Sequence, residues 1–421
     1  FGVINTLVVY LFFGGMVAIG YMCQRKGAST EDYFLSGRKI PWWASGLSMW
    51  ATGVSAISLM AIPAKTYATD WTYMWLGLFP PVMLSLSAVV FMPLFRRLTI
   101  MSITEYFEMR FGTSIRILSS ILLVLGHTFV KMSITLLVPA LALSAVTGWD
   151  VYFSVIVMGA VATIYTVVGG MSAVIWTDVA QSVLMFVGPI LAFTIIISRL
   201  NGGFSEFLQA GSDASKFRLL DLSPDLSVAT FWVFTIWSVT QLTGVLGQET
   251  LQRAWSTEGV KAAKRSVYTL AAVSLPGTIL FYSTGTALYA YYRQHPGDLN
   301  PHLPTDSVYP LYIVQSLPVG VAGLMIAAIF AAAISMAMNT SSTAVTRDYF
   351  RFFDKEAPDS KRMRFGWWGT LISGVIATVV AIVLATFKSA SLWDLFSKLM
   401  SLVGGGFGGV IVLGLLTRRA N

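Results

Sequence analysis

Eleven stretches of this chain run for some twenty residues with no more than two charges each, and that pattern leaves few folds open. They span 4–23, 43–64, 73–95, 117–146, 151–168, 174–198, 229–247, 266–292, 309–338, 367–387 and 393–416. A helix that crosses a bilayer needs about 20 mostly apolar residues. Transmembrane strands would alternate apolar and polar residues, and these runs do not. In hydrocarbon, backbone polar groups must be satisfied internally, which a helix does within a single segment. The chain is therefore expected to be an all-α integral membrane protein. Composition agrees: 55% of the 421 residues are hydrophobic and 11% charged, where a soluble domain carries roughly 25% charged residues.

Charge in the loops tests the count of spans. Cytoplasmic loops are enriched in Lys and Arg, so successive loops should alternate. Twenty of the 28 Lys and Arg fall in one alternating set of loops: 25–39, 96–116, 253–265, 347–364 and 418–419. Seven fall in the other set, at Lys65, Arg199, Lys216, Arg218, Arg293, Lys388 and, just inside the last span, Lys398. The amino terminus is accordingly expected outside and the carboxyl terminus in the cytoplasm of a cell (inner) membrane. The net charge of +8 then reflects cytoplasmic loops and not nucleic-acid binding. Cys23 is the one cysteine, so no internal disulfide forms. No charged leader with a cleavage site precedes the first run, and no signal peptide is expected.

Two spans carry their most polar, least helix-favouring residues at mid-depth. The second holds Met49-Trp-Ala-Thr-Gly-Val-Ser-Ala-Ile-Ser58, and the seventh ends in Gln241-Leu-Thr-Gly-Val-Leu-Gly-Gln248. Each contains Thr-Gly-Val. Close helix packing explains small residues in many membrane helices. Position suggests more. With span 4–23 set aside, ten spans divide into two halves of five, and these two open the halves in opposite orientations. Glycine-interrupted spans at matching places mark inverted-repeat transporters, whose broken helices expose carbonyls and helix ends to a midplane site. The expected organisation is a leading helix (1–28), a first five-helix repeat (29–200), an outer loop (201–225) and a second five-helix repeat (226–421). Gly53 permits the unwinding, carbonyls near Ala51 and Val54 would bind a cation, and Ser55 and Ser58 would face substrate.

Two ionisable residues lie within spans, where a central charge costs roughly 2.5–3.5 kcal/mol on insertion scales and usually marks function. Lys131 sits mid-span and could meet an anionic substrate group or backbone carbonyls. Asp178 could be a sodium ligand, a proton site, part of an inner gate or a helix cap. His127, one turn before Lys131, reads as a packed histidine. Ser335, Asn339, Thr340, Ser341 and Ser342 place oxygens on the ninth span, and oxygen ligands suit hard cations, although hydroxyls also bond back to their own helix. Gly404-Gly405-Gly406 would allow bending or close packing in the last span. No nucleophile–base set or metal-spaced cluster indicates an enzyme.

The stretches STEDYFLSGRKIPWWASGLSMWATGVSAIS (29–58), GGMSAVIWTDVAQ (169–181), LPVGVAGLMIAAIFAAA (317–333) and NTSSTAVTRDY (339–349) resemble the sodium:solute symporter family, which has the leucine-transporter fold. IPAKTYATDWTY (62–73) is most similar to the bacterial sialic acid transporters of that family. The resemblance implies Na+ held between Ala51 and Val54 on the broken helix and Ala332 and Ser335, with Asn339 near, on a later core helix. It makes Asp178 the carboxylate of a second sodium site. It places Ser55, Ser58, Tyr73 and Gly53 at substrate-facing positions, Lys131 at or next to an arginine that takes the substrate carboxylate, and Trp237 near an aromatic contact. Gly53 and Gly77 stand where sialic acid transporters carry a hydroxyl and an amide.

The expectation is a sodium-coupled symporter that imports a small polar solute, a sugar acid such as sialic acid, by alternating access. Its partners would be that solute and the lipid bilayer, with no nucleic acid and no obligatory protein partner. Proton coupling, a neutral-sugar or amino-acid cargo, and a transporter-like sensor or channel remain the alternatives.

Overall fold

The computed structural model describes residues 2–24, 29–54, 56–98, 100–224, 230–240, 247–299, 305–334 and 338–386. Regular structure among them is helical: α1 (Val3–Met22), α2 (Thr30–Leu35), α3 (Trp42–Gly53), α4 (Ala56–Ala68), α5 (Trp75–Arg97), α6 (Ile103–Phe111), α7 (Thr113–Val124), α8 (Met132–Thr147), α9 (Val151–Arg199), α10 (Gly203–Asp213), α11 (Phe231–Thr240), α12 (Gln248–Trp255), α13 (Gly259–Gln294), α14 (Val308–Ser316), α15 (Val321–Ile334), α16 (Met338–Phe352) and α17 (Asp359–Thr386). Among the described residues, six helices are long and apolar enough to cross a membrane, seven if the bent pair α3–α4 counts as one span. The expected last span, 393–416, lies outside the described residues.

Helix faces show how the bundle sits in lipid. α17 exposes Ile372, Val375, Val379 and Val383. Its opposite face buries Gly366, Thr370, Ser373, Gly374, Ala377 and Ala381. Large apolar residues outward and small ones inward is the pattern of a membrane helix, since lipid solvates leucine and valine while small residues let backbones approach. α17 packs on α8, α9 and α16, and α1 packs on α9 and α15.

α9 is 49 residues long. At 1.5 Å per residue that is about 73 Å, more than twice the roughly 30 Å of a hydrocarbon core. It is two spans, as the sequence leads one to expect, folded back at Gly170 with φ 57° and ψ −147°. Any Cβ at Gly170 would lie 2.6 Å from the Tyr33 carbonyl oxygen.

One expected span is shifted. The run 309–338 is not one helix: α14 ends at Ser316, Leu317 is extended, and Gly320 has φ 90°. Pro318 and this glycine stop the helix, so the core segment begins with α15 at Val321. Within the run 229–247, residues 241–246 lie outside the described residues. Gly247 is extended at φ −59°, ψ 136°, and a separate helix, α12, continues through Trp255.

Candidate functional site

The chain breaks where its polar midspan residues fall. α3 keeps its helical bond as far as Val54 N to Trp50 O, 2.9 Å, but Val54 itself is extended at φ −93°, ψ 101°. The segments Trp42–Gly53 and Ser58–Ala68 meet at 56°. Gly53 is exposed, and a Cβ there would meet nothing within 4 Å. The break therefore opens onto free space. Ala51 is buried, and Val54 and Ser58 are half-buried. Ser55, Ser335 and Thr243-Gly244-Val245 lie outside the described residues, as does the side chain of Trp237.

Beyond α4 the chain turns through Trp71–Met74. Tyr73 there packs edge-on against Phe234 of α11, with ring centroids 5.7 Å apart. Lys65 of α4 lies over the Tyr73 ring at 4.6 Å. Trp237 follows Phe234 by one helical turn. Tyr73, Lys65 and α11 thus share one wall. Gly77, by contrast, is packed: a Cβ there would lie 2.5 Å from Thr278 Oγ1.

α12 carries charges that a sequence reading assigns to a loop. Arg253 is buried with Asp178, their side chains 2% and 0% exposed. Arg253 Nη2 donates to Asp178 Oδ2 at 3.1 Å, and its Nε donates to Ser48 Oγ at 2.7 Å. Ser48 of α3 in turn donates to the same Asp178 oxygen. Asp178 on α9 is therefore tied both to the broken helix α3 and to α12. One residue earlier, Gln252 Nε2 donates to the Phe34 carbonyl at 2.9 Å, to Asn339 Oδ1 at 2.6 Å and to Thr343 Oγ1 at 2.9 Å. Asn339 is buried, and its amide oxygen accepts from Gln252. Thr128 Oγ1 donates to Ser341 Oγ at 3.2 Å. Ala332 is buried on α15, which packs on α4 and α9.

One turn before Arg253, Glu249 meets Lys131. The two form an ion pair through Glu249 Oε2, with side chains 26% (Lys131) and 14% (Glu249) exposed. His127 Nδ1 stands 3.1 Å from the other oxygen, Oε1, without the alignment of a hydrogen bond. His127 and Lys131 belong to a π-helical turn, Leu125–Lys131, between α7 and α8. Such widened turns recur at functional sites. Here the turn presents both side chains to α12. His127, expected to be merely packed, faces a carboxylate. Glu249, Gln252 and Arg253 are the site residues that sequence reasoning missed. The signal was present: in Gln248-Glu-Thr-Leu-Gln-Arg-Ala-Trp255 the pairs Gln248/Gln252 and Glu249/Arg253 are four apart, hence on one helix face.

Away from the break, ion pairs join α6, α7 and α16. Arg116 Nε bonds Asp348 at 2.7 Å and pairs with Glu108, while Arg347 holds Glu105 at 2.9 and 3.1 Å. Burial pushes the Glu108 carboxyl up, but the hydrogen bond and charge of Arg116, helped by Arg351, outweigh it and hold Glu108 below the usual carboxylate range. At the other end, buried Lys216 donates to the carbonyls of Tyr67 at 2.7 Å and Thr69 at 2.6 Å, fastening the end of α4. Desolvation draws its ammonium below the usual lysine range, against the pull of Asp70.

Among the described residues no group of three or more His, Cys, Asp or Glu could hold a metal ion. The donors around the break are instead carbonyls, hydroxyls, amides and one carboxylate, which suit a hard monovalent cation.

Comparison with known proteins decides the family. The model of the sodium:solute symporter family matches residues 33–421. The chain belongs to the sodium:solute symporter family. It is a multi-pass membrane transporter that couples solute movement to Na+, and not an enzyme. Among its relatives, the sodium/sialic acid symporter NanT of Aliivibrio fischeri is 34% identical over 436 residues, covering 100% of this chain and 84% of that protein. The sodium/sialic acid symporter SiaT of Proteus mirabilis is 33% identical over 430 residues, covering 100% and 86%. A substrate-bound, outward-open structure of a Na+-coupled sialic acid symporter superposes with TM-score 0.90 at 33% identity, over 100% of this chain and 88% of that one. A nucleobase-cation symporter in a closed conformation, 13% identical, reaches TM-score 0.56 over 94% of this chain and 82% of that one. That likeness shows the fold alone, the leucine-transporter architecture of two inverted five-helix halves.

Proposed function

We propose that this symporter imports sialic acid or a closely similar sugar acid together with Na+, from a site at the break between α3 and α4. The observation that carries the reading is the opening at Gly53 and Val54, in a chain so similar to a substrate-bound sialic acid symporter. Ser55, Ser58, Tyr73 and Trp237 would contact the sugar, and Lys131 its carboxylate. Ala51, Val54, Ala332 and Ser335 would hold one Na+, with Asn339 close by, and Asp178 a second. The amino terminus would lie outside and the carboxyl terminus in the cytoplasm, in the bacterial inner membrane, with the bilayer and no obligatory protein as partner.

Glu249 favours a second reading. Lys131 already has a compensating carboxylate, so a neutral sugar would also suit the site. A thermal-shift screen of sialic acid, neutral sugars and amino acids, each with and without Na+, separates the two. Sialic acid is expected to raise Tm only in Na+. A shift from a neutral sugar alone would replace the acid with that sugar.

A further inference from the structure

The ion pair at the π turn lies inside a transporter for which an acid has just been proposed as cargo, and the inference drawn from it rests on that reading. We propose that Glu249 is a specificity-determining residue that acts as an internal stand-in for the substrate's carboxylate: it occupies Lys131 while the site is empty and yields it when the acid arrives.

Three observations carry this. First, Lys131 needs a counter-charge at mid-depth, and Glu249 Oε2 supplies it. Second, both side chains are partly exposed, 26% and 14%, unlike the sealed Arg253–Asp178 pair one turn along at 2% and 0%. The Lys131 side chain keeps an exposed edge, whereas the second pair is closed off. Third, the Glu249 carboxylate has a second neighbour. Oε1 stands 3.1 Å from His127 Nδ1, a contact in pairing range that is not yet aligned. On losing Lys131, Glu249 can turn onto His127 and avoid becoming an orphan. Two carboxylates on one ammonium in a low-dielectric site repel each other, so the incoming acid and Glu249 compete. A neutral ligand does not enter this competition. Glu249 therefore sets how strongly the site prefers an acid to its uncharged analogue.

The test uses the full-length chain in detergent with saturating Na+, and measures binding of N-acetylneuraminate and of its uncharged methyl ester. Glu249→Gln removes the competing charge and frees Lys131. A charged hydrogen bond is worth enough that acid affinity should rise about tenfold, while ester affinity stays within about twofold of wild type by the same reasoning. Lys131→Met added to Glu249→Gln should erase the gain. Glu249→Asp keeps the charge and serves if Glu249→Gln does not fold; its shorter reach should shift the acid-to-ester ratio the same way, by less. Equal changes for acid and ester in both variants, or no change, overturn the exchange and leave Glu249 a structural partner. A wild type that binds no acid beside a Glu249→Gln variant that does overturns the sialic acid reading and upholds the exchange. Acid binding absent from both overturns both.

Discussion

Arg253 and Asp178 face each other where water does not reach, and removing either leaves the other's charge buried without this opposite charge. Breaking a buried pair by deleting one partner costs about 3–5 kcal/mol, whereas replacing both is often far milder. Asp178→Asn and Arg253→Met should therefore each lower Tm clearly, and the double variant should recover much of that loss. Sodium dependence should behave differently. If Asp178 is a coupling carboxylate, Asp178→Asn and the double variant both lose sodium-stimulated uptake, however stable the double variant is. Sodium stimulation that returns with stability would leave the pair a purely structural bolt. In the sequence, Asp178 was visible as a carboxylate inside an apolar run. Its partner was not, because Arg253 follows the end of a span and reads as one more cytoplasmic cation. Only the fold carries α12 back into the bundle.

Helix breaks are the decisive events at the element scale, and the two glycines at such places differ. Gly170 turns α9 back with a left-handed φ and no room beside Tyr33. Gly53 ends α3 with open space around it and without a positive φ. Gly170→Ala should cost about 1–3 kcal/mol, read as a lower Tm with or without Na+. Gly53→Ala should leave Tm unchanged or raise it slightly, since alanine narrows the unfolded ensemble by roughly 0.4–1 kcal/mol where the backbone accepts it. Equal losses at the two positions would contradict this account. The bend at Gly53 was legible from Thr-Gly-Val in mid-span, and the turn between the spans of α9 from its length. The displaced ninth span was missed because apolar character through 309–338 outweighed the stop signal of Pro318 and Gly320, where the backbone separates α14 from α15. The π turn was also hidden, because hydrophobic periodicity over a few residues does not distinguish it from an α-helix.

At the scale of the whole molecule, charge deficit and repeat pattern gave the membrane class and the inverted halves from sequence alone, since bilayer thickness and loop charge constrain a chain so strongly. Specificity is a finer matter, and it rests on which carboxylate Lys131 holds. The central claim is that two ion-paired halves, opened at one broken helix, drive a sugar acid uphill with Na+. Proteoliposomes containing the purified chain test it directly, with radiolabelled N-acetylneuraminate outside and Na+, K+ or a pH gradient imposed. The account predicts accumulation above the outside concentration only with an inward Na+ gradient, and its collapse when that gradient is dissipated. Accumulation of equal size with K+ in place of Na+, or driven by a proton gradient without Na+, would contradict it.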